Sequence, residues 1–234
     1  QTSFDLKRGP LLRITLVQQK DDEHVLLLAM HHIVSDAWSM GVLIGEVVAL
    51  YEGYTTGREI ALPTLPIQYA DFAAWQRDWL KGNVLDEQFA YWRQHLGGSL
   101  PILELPTDRP RPALQTYNGT SLSFPLSPEL SQSIRSLCRA EGVTLFMLLL
   151  AAFKVFLYRY TGQEDLIVGS PIANRHRQEL ERLIGFFVNT LAMRTNLSGN
   201  PTFRDLLKLV RETALGAYAH QDLPFEYLVE QLQP

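Results

Sequence analysis

The sequence predicts an α/β layered architecture in two subdomains, on three observations. β-prone runs and helix-spaced runs alternate in both halves, the pattern of sheets covered by helices. Between the halves, Leu100 to Pro112 carries four prolines beside Asp108, Arg109 and Arg111, a composition that disfavours helix and sheet and reads as an extended connection. The 234 residues, 46% of them hydrophobic, are enough to bury a sizeable core. The boundary is expected at 110/111, giving subdomains 1–110 and 111–234.

Leu11 to Gln19 and His24 to His32 are β-prone runs joined by the polar tract Lys20-Asp21-Asp22-Glu23, an antiparallel hairpin whose second strand is apolar on both faces. Beyond Asp36, the residues Trp38, Met40, Leu43, Ile44, Val47 and Leu50 form a helical stripe ended by Gly53 and Gly57, with Ser35 or Asp36 as its cap. Gln68 to Leu80 and Asp86 to Leu96 are helices whose aromatics are expected to pack the core, the second stopped by Gly97-Gly98. After the proline-rich stretch come a strand at Thr120 to Leu126, a helix starting at Ser127-Pro128-Glu129, and a buried helix from Thr144 to Tyr160. Asp165 to Ile172 and Gly185 to Leu197 are strands flanking the polar loop Asn174 to Glu181; Phe203 to His220 and a short final helix complete the order.

The formal net charge of −4 comes from well-mixed charges without basic runs, which argues against nucleic acid or an anionic membrane as partner. Val143 to Leu157, the longest apolar stretch, is too short for a bilayer span and is interrupted by Lys154. One cysteine, Cys138, leaves no internal disulfide framework and fits a reducing, cytoplasmic compartment. Gln1 is not an initiator and no signal peptide follows it, so the start looks like a cut, and the glycosylation-type triplets at Asn118 and Asn196 read as chance matches.

The chemistry concentrates in Met30 to Ser39, where an apolar run stops at His31, His32 and, after three residues, Asp36. Strand periodicity puts His31 on the face of Val25, Leu27 and Ala29, and His32 on the face of Leu26, Leu28 and Met30. Rings on opposite faces cannot chelate one ion, and no Cys, His or Glu stands at zinc spacing, so no metal is expected. No Gly-x-Ser-x-Gly elbow occurs and Cys138 lies in an amphipathic helix, which disfavours covalent catalysis. From spacing alone, a hydrogen-bonded structural histidine followed by an Asp36 helix cap stands level with a catalytic group.

Met30 to Ser39 resembles the His-His-x-x-x-Asp-Gly motif of nonribosomal peptide synthetase condensation domains, which are related to chloramphenicol acetyltransferase. Phe4-Asp5-Leu6 with Gly9 to Arg13, Tyr69 to Trp75, Ile184 to Thr190 and His220 to Glu226 resemble the family's neighbouring blocks, in its order, across essentially the whole chain. The resemblance implies a two-layer α/β sandwich of chloramphenicol acetyltransferase type, with two subdomains forming a pseudo-dimer. It implies an internal fragment: 1–110 would be the C-terminal part of a truncated first subdomain, and 111–234 most of the second. Alone, the piece is expected to be inactive and loosely packed, because strands covering its apolar faces are missing.

The implied activity is acyl transfer that forms a peptide bond: the α-amine of an acceptor aminoacyl thioester attacks a donor acyl or peptidyl thioester, in the biosynthesis of antibiotics and other secondary metabolites. Donor and acceptor peptidyl carrier protein domains and a neighbouring adenylation domain are the implied partners. No cofactor is bound directly, since the substrates ride on the phosphopantetheine arms of the carriers. By match to the motif, His32 faces the reacting amine, His31 supports it, and Asp36 holds the loop by pairing with an arginine that the sequence leaves open. Ala37 stands where the family has glycine; a positive φ there would cost alanine about 1 to 2 kcal/mol, and a substrate passing close would meet its methyl group. Ala37 and Trp38 are expected along the substrate channel, with Ser170 and Asn189 lining it from the second subdomain. The alternatives are an epimerisation domain of the same fold and a non-catalytic carrier-binding platform.

Overall fold

The computed structural model describes residues 3–110, 112–114, 116 and 118–233; Gln1 and Arg111, which figure in the expectations above, lie outside the described residues. β1 (Leu12–Lys20) and β2 (Glu23–Met30) form the antiparallel hairpin, with Leu12 opposite Met30 and Val17 opposite Val25. The strand ends at Met30, two residues before the expected limit, because His32–Val34 coil into a 3₁₀ turn. The apolar residues of the hairpin are largely exposed, Leu16 at 65% and Leu27 at 53%, since β1 and β2 make a two-stranded sheet of their own.

α1 (Ala37–Thr56) starts where Asp36 accepts a hydrogen bond from the Ser39 N–H, so Asp36 and not Ser35 is the cap. The helix runs through Gly53 and ends at Gly57, whose φ of +68° is the left-handed closure that glycine supplies without strain. α2 (Tyr69–Trp79) opens with a capping box between Gln68 and Asp71. A small apolar core joins Phe72 of α2 to Leu180, Leu183 and Phe187. The expectation that the helix aromatics pack the core needs correction: Phe72 and Trp92 are buried, whereas Trp75 and Trp79 are each 37% exposed and stack on one another at the surface. These elements, up to Asp86, form one compact unit with Pro171–Asn189.

The second compact unit comprises Glu87–Ser170 and the residues from Thr190 onward. It contains most of α3 (Asn83–His95), α4 (Pro128–Glu141), α5 (Leu145–Thr161), α6 (Phe203–Ala219) and α7 (Phe225–Leu232), with most of the paired strands β3 (Asp165–Ile172) and β4 (Asn189–Asn196). Ser127, Thr144 and Thr202 cap α4, α5 and α6 through their side-chain oxygens. The strand expected at Thr120 to Leu126 is absent: the segment is irregular, Leu122 is 86% and Phe124 74% exposed, and β-propensity without a pairing partner leaves an extended chain unladdered.

Two basic side chains organise this unit. Arg194 of β4 clamps Asp165 of β3 through Nε and Nη2, and donates as well to the carbonyls of His95, the last residue of α3, and of Gly97 and Ser99 just past it. Lys154 of α5 is fully buried, donating from Nζ to the Met193 carbonyl at 2.7 Å and to the Thr195 hydroxyl. Burial pushes its pKa down to about 7, against the opposing pull of Asp165. Two acceptors match the two N–H groups of a neutral amine. Among the described residues no single helix is long and apolar enough to cross a membrane.

Candidate functional site

Asp36 is the centre of the site in the first unit. Its Oδ1 accepts from the Ser39 N–H (2.8 Å) and hydroxyl (2.7 Å), and its Oδ2 accepts from the Phe187 N–H (3.0 Å). The arginine left open by the sequence is Arg175: Nη2 approaches both carboxylate oxygens, at 3.2 and 3.4 Å, with both side chains almost wholly buried. Arg175 also donates through Nη1 to the carbonyls of Leu180 and Leu183, and its guanidinium lies 4.0 Å over the Phe187 ring. Its buried Nε–H has no acceptor among the described residues. Burial by itself would raise the Asp36 carboxyl; the hydrogen bonds from Ser39 and Phe187 and the charge of Arg175 outweigh it and hold the group below its ordinary value. A carboxylate so committed is a poor proton carrier and a firm strut.

The 3₁₀ turn that follows β2 separates the two histidines. His31 is half-buried; its Nδ1 accepts from the Ile33 N–H at 3.1 Å, and its ring meets Phe4 edge-on at 5.9 Å. His32 is exposed, its ring 5.4 Å from that of Phe186 in an edge-to-face arrangement, and among the described residues its ring nitrogens have no hydrogen-bond partner. The neighbouring segment Gly185-Phe186-Phe187 was expected to open a strand, but β4 starts only at Asn189. Its backbone pairs with side chains instead: Ser39 Oγ with both Gly185 N–H and C=O, the Tyr69 hydroxyl with Phe186 C=O, and Asp36 with Phe187 N–H. A Cβ on Gly185 would overlap Tyr69 Cδ2, so only glycine admits this ring.

Ala37 is the first residue of α1 and lacks the positive φ that would strain it; among the described non-glycine residues that conformation occurs at Asn174, Asn200 and Gln233. Its methyl group is exposed, as is Trp38, whose Nε1 donates to the Glu181 carbonyl at 2.8 Å. Asn189, buried at the start of β4, belongs to the same unit as His32, whereas Ser170, buried in β3, belongs to the second. The residues that sequence reasoning gave no role are Arg175, Ser39, Tyr69 and Phe186. Arg175 sits in the polar loop and is 139 positions from Asp36, a separation no local spacing rule spans. Among the described residues no three His, Cys, Asp or Glu side chains gather as metal ligands.

The family profile of the condensation domain matches residues 1–234, the whole chain. The chain belongs to the condensation-domain family. A linear gramicidin synthase from Brevibacillus parabrevis is 60% identical over 230 residues, which make up 98% of this chain and 3% of that protein. The X-domain from teicoplanin biosynthesis, solved in complex with OxyB, superposes with a TM-score of 0.91 at 31% identity over 100% of this chain and 52% of that one. The condensation domain of the Monacolin K polyketide synthase MokA gives 0.77 at 28% identity, over 99% of this chain and 53% of that one. This condensation-domain chain thus spans about half the length of these two solved structures and 3% of the linear gramicidin synthase, and its fold class is the α/β, chloramphenicol acetyltransferase-like one expected.

Proposed function

We propose that this chain carries the reaction centre of a condensation domain that forms an amide between a donor acyl or peptidyl thioester and an acceptor aminoacyl thioester, each delivered by a peptidyl carrier protein domain. The observation that carries the proposal is the exposed His32 ring with uncommitted nitrogens, seated on a turn beside a buried Asp36–Arg175 anchor. The amine nitrogen adds to the thioester carbonyl, the C–S bond breaks, the thiolate leaves and takes up a proton, and the amine gives one up. His32 orients the amine and accepts its proton; His31, with Nδ1 already engaged, supports the turn.

An α-amine titrates at about 7.7 to 8.0, so roughly a tenth is neutral at pH 7 without help. Holding amine and thioester in attack geometry supplies about 7 kcal/mol or more, against about 3 to 5 kcal/mol for a general base worth roughly 10²- to 10⁴-fold. Positioning therefore ranks above basicity for His32. The phosphopantetheine arms enter as part of the substrates, Ala37, Trp38 and Asn189 border their path, and a neighbouring adenylation domain loads the carriers. The chain works in the cytoplasm.

A second reading, a platform that binds partners without turnover, is favoured by the likeness to the X-domain, which is solved bound to OxyB. The full-length protein, given loaded donor and acceptor carriers, separates the possibilities. Dipeptidyl thioester formation supports condensation, exchange of the donor α-proton without a new amide supports epimerisation, and carrier binding with neither supports the platform.

A further inference from the structure

The loop Gly185-Phe186-Phe187 has no strand partner, yet four of its main-chain polar groups are paired, all with side chains: Ser39, Asp36 and Tyr69. Ser39 Oγ is the hub. It is fully buried and lies within hydrogen-bond distance of Asp36 Oδ1 (2.7 Å), Gly185 O (2.8 Å), Arg175 Nη2 (2.8 Å) and Gly185 N (3.1 Å). A hydroxyl has one proton and two lone pairs. Here Arg175 and the Gly185 N–H occupy the lone pairs, and the proton serves Asp36 and the Gly185 carbonyl, so the whole capacity of the group is used. The product of this arrangement is the place of the Phe186 ring, whose backbone is pinned on both sides and at its own carbonyl, and that ring stands against His32.

We infer that Ser39, with the Tyr69 hydroxyl as its second point of attachment, is a positioning residue for His32, acting through the 185–187 loop and the Phe186 ring. This rests on the amide-forming role proposed for His32. Alanine at position 39 would leave the Gly185 N–H and one Arg175 N–H without their acceptor and free the loop on one side; phenylalanine at 69 would free the Phe186 carbonyl while keeping the ring that packs on Gly185.

The test is a double-mutant cycle in the full-length protein. Ser39→Ala is expected to lower kcat for dipeptidyl thioester formation about 10- to 100-fold with KM for the loaded carriers unchanged, Tyr69→Phe to do the same more weakly, and neither to lower turnover further in a His32→Ala background. Equal losses in the wild-type and His32→Ala backgrounds would overturn the inference, because a merely structural role reduces the folded fraction in both. If Ser39→Ala does not fold, the Tyr69→Phe arm decides by the same criterion. Should the wild-type protein make no amide, or should His32→Ala turn over normally, the proposed function falls, and labelling of His32 by diethyl pyrocarbonate decides the inference separately. A shifted rate at His32 in Ser39→Ala, with His24 unchanged, supports it, and an unchanged rate at His32 overturns it.

Discussion

Replacing Arg175 by methionine keeps an unbranched apolar stem and removes the guanidinium with its charge and donors. Asp36 would then lose one of its partners while keeping the Ser39 N–H, the Ser39 hydroxyl and the Phe187 N–H. Taking one member from a buried pair costs about 3 to 5 kcal/mol, and the carbonyls of Leu180 and Leu183 would lose a donor as well. The three donors that remain on Asp36 place the expected loss near the lower bound, about 3 kcal/mol, which is about a hundredfold in a local opening equilibrium. The Asp36 carboxyl should rise, having lost the neighbouring positive charge. Hydrogen exchange of the full-length protein, read on peptides holding the Ser39 and Phe187 amides, measures the opening directly because both amides donate to Asp36. Adding Asp36→Asn to Arg175→Met should cost less than the two single losses summed, since neither then leaves a charge stranded. Unchanged protection of those two amides in Arg175→Met would refute the assignment of Arg175 as the anchor of the motif.

Two further outcomes follow from the packing. Lys154 titrates near 7 when folded and at its ordinary 10.5 when unfolded; between those values the unfolded chain holds a proton that the folded one has shed, so stability rises with pH by up to about 5 kcal/mol and is flat below the window. Unfolding measured from pH 7 to 9.5 should show that slope in the wild type and lose it in Lys154→Met, and equal slopes would contradict a buried, depressed lysine. Gly185→Ala must displace Tyr69 and break its bond to the Phe186 carbonyl, which should lower stability by about 1 to 3 kcal/mol, with partial recovery when Tyr69→Ala makes room; a neutral Gly185→Ala would show that the ring yields easily.

Most helices were legible because their signals are local: Ser127, Thr144 and Thr202 cap them, Gly57, Gly142 and Gly162 close them, and the apolar spacing between is helical. The failures come where partners are distant. Thr120 to Leu126 has the composition of a strand, but composition does not create a neighbour for it. Gly185 to Val188 looks like the start of β4, yet its backbone partners are side chains from α1, α2 and the Asp36 cap, more than a hundred positions away. The same distance hid Arg175. Strand periodicity correctly gave the two histidines different surroundings, but the cause is a 3₁₀ turn after Met30, not alternation along one strand. At Ala37, right-handed helical geometry removes the strain that glycine's usual presence led one to expect, and leaves only the exposed methyl group to affect a passing substrate.

The role of His32 is tested most directly by single-turnover formation of the dipeptidyl thioester, comparing the full-length wild type with His32→Ala at saturating loaded carriers. Loss of positioning and proton acceptance together predicts a fall of about 10²-fold or more in the rate of amide formation, with carrier binding retained. Wild-type rates from His32→Ala would contradict the account.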